Sequence, residues 1–303
     1  MAEWGLCSTI RAPTDQVLAF VAHHLSLGAD HLWLFFDDPD DPAVDAVSGI
    51  AEVTVTRCDH AYWQATCKTR PESHQNRQTR NIHRVYKTAA LPWIGHIDVD
   101  EFLLPARPIA EILGEVRADR ITVRIAPWEA LHDPSLPADI FTARHFRAAI
   151  KGGAMARARL RAFGAYADLL TAGVLSHSAG KCFFQRGFRG LQPRLHGAYL
   201  HGERVKGDPF HPDLALLHFH AEDPDRWKHR LQFRLTRGAY RSNPALQARL
   251  LAASPAEIDD FYAAVQTADP EVLSYLAAKG LLKEVDLGLR AKVDALLNST
   301  SRK

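Results

Sequence analysis

The chain has 303 residues, a formal net charge of +2, 47% hydrophobic and 24% charged residues. That length and composition fit one large domain, or one domain with an appendage, with ample apolar material for a core. They exclude a disordered or collagen-like chain, and an overall pI of about 8.4 is too mild to point to nucleic acid. The N-terminal segment has no basic region followed by an apolar run, so no secretory signal is expected. No apolar stretch reaches membrane-spanning length. The cysteines, Cys7, Cys58, Cys67 and Cys182, are widely separated and form no C-x-x-C pair. They read as reduced thiols of a cytoplasmic protein rather than as zinc ligands. Charge is distributed unevenly. Residues 30–59 hold eight acidic residues and one basic, whereas residues 141–207 hold twelve basic and two acidic. The basic block suits an anionic ligand or an anionic membrane surface.

In chain order, Cys7 to Ile10 is a short strand. Pro13-Thr14-Asp15 opens a helix with Val17, Leu18, Val21, Ala22 and Leu25 on one face, ended by Gly28. His31 to Phe36 is a strand buried on both faces, and Asp37 to Pro42 a turn. A short helix over 44–49, a strand over 51–56 and a long helix over 72–90 follow. The next strand, Trp93 to Val99, runs into Asp98-Val99-Asp100-Glu101. Beyond Pro105, a helix over 109–117 precedes a strand over 120–126, with Trp128 and Glu129 in a loop broken by Pro127 and Pro134. Residues 152–175 contain an Ala/Arg-rich helix that could form a mobile flap. Strands at 180–185 and 214–220 complete the alternation, and from Pro224 the pattern is helical only. Strands alternating with helices predict an α/β domain with a largely parallel sheet. Its ligands are expected beyond the carboxyl ends of the strands, where Asp37-Asp38 and Asp98-Asp100 fall. The expected division is 1–222 for the α/β domain and 223–303 for a helical appendage.

Side chains two apart on a strand share a side, so Asp98 and Asp100 could hold one hard divalent cation. A cation there would neutralise a diphosphate leaving group. His218 and His220 share a face in the same way, and an imidazole beside carboxylates suits Mn²⁺ or Mg²⁺. Arg77, Arg80, Asn81 and Arg84 lie at i, i+3, i+4 and i+7, giving one basic and polar helix face. Lys181, after a glycine, could reach a donor phosphate. Glu129 and Asp133 are candidate general bases by location.

Four segments carry a family resemblance. They are Ser8-Thr9-Ile10-Arg11 through His23-His24-Leu25-Ser26-Leu27-Gly28-Ala29-Asp30-His31, then Phe36-Asp37-Asp38, then Ile97-Asp98-Val99-Asp100-Glu101-Phe102-Leu103, and finally Gly180-Lys181 with Leu217-His218-Phe219-His220. Across roughly residues 5–235 the chain resembles the family-2-like bacterial glycosyltransferases, which have the nucleotide-sugar-binding GT-A fold. The Q-x-x-R-W motif of the processive members is missing. The resemblance implies a GT-A-type, Rossmann-like α/β sheet and a metal-dependent transfer from a UDP- or GDP-sugar to a glycan or lipid-linked acceptor. It implies donor contacts from Arg11, Asp37, Asp38, Arg77, Arg80, Asn81, Asp98 and Lys181. The implied metal ligands are Asp98 and Asp100, completed by a late histidine, His218 or His220. The expected setting is the cytoplasm or the periphery of the inner membrane. Two other readings of the carboxylates are a metal-dependent phosphohydrolase or nuclease and a non-catalytic carbohydrate-binding module.

Overall fold

The structure, a computed structural model, describes residues 1–300. It comprises β1 (Trp4–Ile10), α1 (Thr14–Ser26), β2 (His31–Phe36), α2 (Ala43–Val47), β3 (Val53–Arg57), α3 (His60–Cys67), α4 (His74–Thr88), β4 (Trp93–His96), β5 (Glu101–Pro105), α5 (Ile109–Gly114) and β6 (Thr122–Ala130). These are followed by β7 (His145–Ala148), α6 (Ala156–Phe163), β8 (Lys181–Gln185), β9 (Leu191–Arg194), β10 (Gly197–Leu200), β11 (Glu203–Arg204) and β12 (Phe210–His218). The last stretch holds α7 (Pro224–Thr236), α8 (Pro244–Leu251), α9 (Pro255–Gln266), α10 (Pro270–Ala278), β13 (Leu282–Glu284) and α11 (Leu289–Thr300). The α/β class and the C-terminal helices expected from the sequence are present.

The chain divides into two compact units. The first takes residues 1–126, 180–216 and 288–300. Its sheet runs β3-β2-β1-β4-β8-β6. The β1–β2, β2–β3 and β1–β4 pairs are parallel. The β4–β8 and β8–β6 pairs are antiparallel. Strand order therefore reverses between β1 and β4, the place where open α/β sheets bind ligands. The parallel strands are apolar on both faces, with Leu6, Ile10, Leu32, Leu34, Phe36 and Ile94 buried, because helices cover them on both sides. The helix α4 lies on one face, where Ile82, Val85 and Tyr86 meet Cys7, Phe35 and Ile94. On α1, Lys292 of α11 approaches His23 Nδ1 at 3.0 Å.

The second unit takes residues 127–179 and 217–287. Its core gathers Phe163, Trp227, Tyr240, Phe261, Tyr262 and Leu276. Helices that begin at prolines build much of it, each proline sitting at N1 where no N–H is needed.

Several sequence expectations are corrected here. Trp128 and Glu129 lie within β6, not in a loop. Pro127 is tolerated because β6 pairs with β8 over Thr122–Ile125 and with β7 over Trp128–Ala130. The proline falls between the two ladders, where no N–H is required. Residues 152–175 do not form a flap, because Ala158, Ala162, Phe163, Leu170 and Leu175 are buried in the second unit's core. The small size of alanine hid that stripe. Helix-only structure after Pro224 is also incorrect. β13 pairs antiparallel with β7, with Leu282 opposite Arg147 and Glu284 opposite His145. A three-residue strand leaves too little periodicity to read. The division at residue 222 differs from the two units found, since residues 127–179 join the second and α11 joins the first. Helix α3, capped by Asp59 accepting from Tyr62 N at 2.7 Å, was not anticipated.

Buried histidines make the first unit acid-sensitive. Burial, then the positive Lys292, push His23 from 6.5 to about 4. Burial does the same for His96, lowered to about 4, with Lys181 adding to it and Asp98 and Glu101 opposing. The folded chain thus refuses protons that the unfolded chain accepts below pH 6.5. Stability is full above that pH and falls as pH drops toward 4, by about 1 kcal/mol per pH unit for each group. Urea midpoints should fall steadily from pH 7 to pH 5. Equal midpoints at the two pH values would contradict the neutral, buried imidazoles.

Candidate functional site

The acidic turn closes between β4 and β5. Glu101 N donates to Asp98 O at 3.0 Å, and Asp98 N donates to Glu101 Oε2 at 2.7 Å. Glu101 is fully buried, so its carboxylate fastens the turn from inside. Lys181, at the start of β8, donates to Asp98 Oδ2 at 2.6 Å and lies 3.3 Å from Glu101 Oε2. Its ammonium is buried; burial alone would lower its pKa, but the attraction of Asp98 and Glu101 prevails and raises it. Lys181 is therefore the counter-ion of the turn rather than a side chain reaching outward to a donor phosphate. Gly180 precedes it with φ of 70°, and a Cβ there would lie 2.2 Å from Ile125 O, so only glycine admits the strand at this point. Asp100 is partly exposed.

Helix α4 carries the turn's other support. Gln78 Nε2 hydrogen-bonds Asp98 Oδ1. The preceding residue, Arg77, grips Asp37 at the end of β2, with Nε 2.7 Å from Oδ1 and Nη2 3.0 Å from Oδ2. Arg77 Nη1 also donates to Pro71 O and Glu72 O. Three of its five N–H groups thereby donate hydrogen bonds. Asn81 bridges Tyr62 OH and Thr9 Oγ1, both at close to 2.8 Å. Of the predicted basic face, then, Arg77 and Asn81 turn inward as structural ties, while Arg80 and Arg84 are exposed. Arg84 stacks on the Tyr62 ring, 5.6 Å from its centroid.

Beyond the carboxyl ends of β1, β2 and β3 lies a cavity of about 630 Å³. Arg11, Asp37, Asp38, Cys58, Asp59, Trp63, Lys68 and Arg70 line it. Its volume is that of an ordinary ligand pocket. Trp63 and Cys58 supply a buried apolar surface. Burial first, then Asp37, push the Cys58 thiol up to about 12, so it is a neutral wall and not a nucleophile. Arg70 pairs with Asp37 at 2.9 Å, so that carboxylate is shared by two guanidiniums. At the rim, Lys68 has φ of 70° and ψ of −37°, a strained conformation for a side-chain-bearing residue. Sequence reading placed Arg11, Asp37 and Asp38 here but missed Trp63, Lys68 and Arg70, which came with the unanticipated α3. An aspartate cap before a Trp-bearing segment was the available signal.

The candidate bases lie in the second unit. Glu129 is buried and accepts from Arg147 Nη2 at 3.1 Å, Leu175 N at 3.1 Å and Ser176 N at 2.7 Å. A carboxylate buried and held this way by a guanidinium and two amides is not presented to a substrate. Asp133 accepts from the hydroxyl and the N–H of Ser135, which lower its pKa and make it a weaker base. The late histidines also belong to the second unit. The rings of His177 and His220 lie 5.3 and 5.2 Å from that of His218. Tyr240 OH accepts from Trp227 Nε1 at 2.8 Å and so donates to His220 Nε2 at 2.9 Å. That bond occupies the acceptor nitrogen of His220, and burial, then Arg234, hold its pKa well below the usual value. His220 is a neutral structural histidine rather than a metal ligand.

No protein-family model matches the chain, and no curated protein matches it. Among solved structures the chain has partial likeness to a CMP:2-keto-3-deoxy-manno-octonic acid synthetase complexed with CTP. The identity is 18%, the TM-score 0.27, and the match covers 42% of this chain and 53%, about half, of the synthetase. The mannosyltransferase Ktr4p from S. cerevisiae matches at 11% identity and TM-score 0.26, over 44% of this chain and 40% of that one. HddC from Yersinia pseudotuberculosis matches at 9% identity and TM-score 0.35, over 77% of this chain and all of that one. Among the described residues, no helix is long and apolar enough to cross a membrane.

The Glu129–Arg147 pair is testable on its own. Both side chains are 1% exposed. Arg147→Met should destabilise the chain by about 3–5 kcal/mol, because it leaves a buried carboxylate uncompensated. Adding Glu129→Leu to that variant should recover a large part of the loss. Urea unfolding of the single and double variants measures both, and a mild Arg147→Met effect would contradict the pairing.

Proposed function

We propose that this chain is a metal-dependent glycosyltransferase that takes a sugar from a nucleotide-sugar, a UDP- or GDP-sugar, and passes it to a glycan or lipid-linked acceptor. One observation carries the reading. Adjacent residues of α4, Arg77 and Gln78, fasten the wall of the cavity through Asp37 and the acidic turn through Asp98. The pocket beyond β1–β3 and the carboxylates after β4 are thus tied to one helical turn, on either side of the point where strand order reverses.

In this reading the cavity takes the nucleoside, with Trp63 as an apolar wall and Arg11 and Asp38 at its polar rim. The donor set suits a cation. Asp98, Asp100 and Glu101 offer hard carboxylate oxygens of the kind Mn²⁺ or Mg²⁺ takes, with Lys181 paired to Asp98 and Glu101. A Mg²⁺-like site uses one or two carboxylates plus substrate phosphates, which agrees with this set, whereas a two-metal phosphohydrolase or nuclease needs a richer carboxylate cluster. Asp100, aided by Asp98, is the proposed holder of the ion. Bound there, the ion would supply charge stabilisation for the departing diphosphate. The basic block suits contact with an anionic membrane surface, and a cytoplasmic setting agrees with unpaired thiols. The structural use of Glu129 and the lowered pKa of Asp133 favour, as the second reading, a non-catalytic carbohydrate-binding module.

Asp100→Ala should leave the fold intact and weaken Mn²⁺-dependent binding of UDP- or GDP-sugar more than tenfold, the effect of losing a charged ligand contact of about 1.5–3 kcal/mol. Calorimetry with and without Mn²⁺ reads it, and unchanged metal-dependent affinity in a folded variant would remove the assignment. Slow donor hydrolysis by the native chain would separate the transferase from the binding module. Cleavage of an oligonucleotide would instead favour the nuclease.

A further inference from the structure

Helix α1 carries three polar residues that are almost wholly buried, Gln16, His23 and His24, at 2%, 1% and 0% exposure. Burying such groups is costly unless each is hydrogen-bonded. Their partners converge on one short segment. Gln16 Nε2 donates to Val99 O at 3.2 Å. His23 Nε2 meets Leu103 O at 2.7 Å, and Leu103 N donates to His24 Nε2 at 3.3 Å.

The neighbouring bonds fix the tautomers. His24 Nδ1 donates to Phe20 O at 2.8 Å, which leaves Nε2 as an acceptor for Leu103 N. Lys292 Nζ approaches His23 Nδ1 at 3.0 Å, which makes Nδ1 the acceptor and Nε2 the donor toward Leu103 O. Both imidazoles are held neutral, His23 by burial and Lys292, His24 by burial and His23. Together they satisfy the N–H and C=O of a single residue of β5, as a neighbouring strand would. On the other edge β5 pairs with β12. Phe102 packs against both rings, stacked on His24 at 5.9 Å and edge-on to His23 at 5.4 Å.

The segment so held, 99–103, contains Asp100 and Glu101, and Glu101 in turn fastens Asp98 and Lys181. We infer that Gln16, His23 and His24 are positioning residues for the acidic turn. They grip its backbone at both ends, at Val99 and at Leu103, and so set where Asp100 and the Asp98–Lys181 pair point. The metal role of the turn rests on the function proposed above; the positioning does not.

The experiment uses the full chain and two independent readouts. The first is the rate of Lys181 acetylation by acetic anhydride, followed by peptide mass spectrometry. The buried, ion-paired ammonium should react slowly in the native chain. Gln16→Met, which removes one donor at nearly constant volume, and His24→Phe, which keeps the ring, should each speed labelling roughly tenfold, the factor for losing about one buried hydrogen bond. His23→Leu should do the same, whereas His23→Gln, which restores a donor near the Nε2 position, should label like the native chain. The second readout is Mn²⁺ affinity by electron paramagnetic resonance, with Asp100→Ala as control. Weakened Mn²⁺ binding in the same variants supports positioning of the ion-holding turn. Faster labelling with no Mn²⁺ binding, or with binding indifferent to Asp100→Ala, sinks the metal reading and leaves the positioning standing. Native labelling rates in a folded Gln16→Met or a folded His23→Leu overturn the inference, as does failure of His23→Gln to rescue. Should His24→Phe not fold, Gln16→Met still decides.

Discussion

Three carboxylates within four residues repel one another, and the first unit is organised around containing that repulsion. A single buried ammonium, Lys181, lies against Asp98 and Glu101 and makes the turn affordable in a low-dielectric interior. Its position depends on β8 running antiparallel beside β4, with His96 opposite Cys182. That register places Lys181 just beyond the end of β4, where the turn begins. Close approach of the chain at Gly180 is part of the same constraint. Glu101, by accepting from Asp98 N, converts a floppy acidic loop into a closed turn.

Two helices then locate this turn in the fold. From one side of the sheet, α4 reaches Asp98 with Gln78 while holding Asp37 with Arg77. From the other, α1 holds the backbone at Val99 and Leu103. The support goes to backbone and to Asp98, and both Asp98 and Asp100 stay partly exposed to solvent. A ligand in the cavity beyond β1–β3 would therefore meet a prepared arrangement rather than one it must order.

The second unit is a different kind of object. Its core is aromatic and aliphatic, and its buried polar groups, Glu129 with Arg147 and His220 with Tyr240, are saturated by one another. Arg147 also stacks over Phe163 at 4.3 Å and donates to Val265 O. Such closed networks fix packing and leave little capacity for chemistry. Glu129, expected there as a general base, is held inside such a network.

Sequence alone determined the alternation of strands and helices from β1 to β4, α3 excepted, because periodicity, the Asp and Gly stops and the apolar runs are local signals. It also determined that an acidic cluster follows β4 at a strand end, since Ile97-Asp98-Val99-Asp100-Glu101 is contiguous. What it could not determine were the partners. Arg77 and Asn81 look like ligand-facing residues on a helical wheel, yet contacts from Asp37, Thr9 and Tyr62, all distant in sequence, turn them into structural ties. Glu129 looked like an exposed loop carboxylate until Arg147 came opposite it across β6 and β7. Lys181 looked like a residue reaching a donor phosphate until the β4–β8 register brought it to Asp98. In each case the deciding quantity is the desolvation of a charge together with the group that compensates it, and both are set by which strands lie side by side, a property of the tertiary structure that no local window contains.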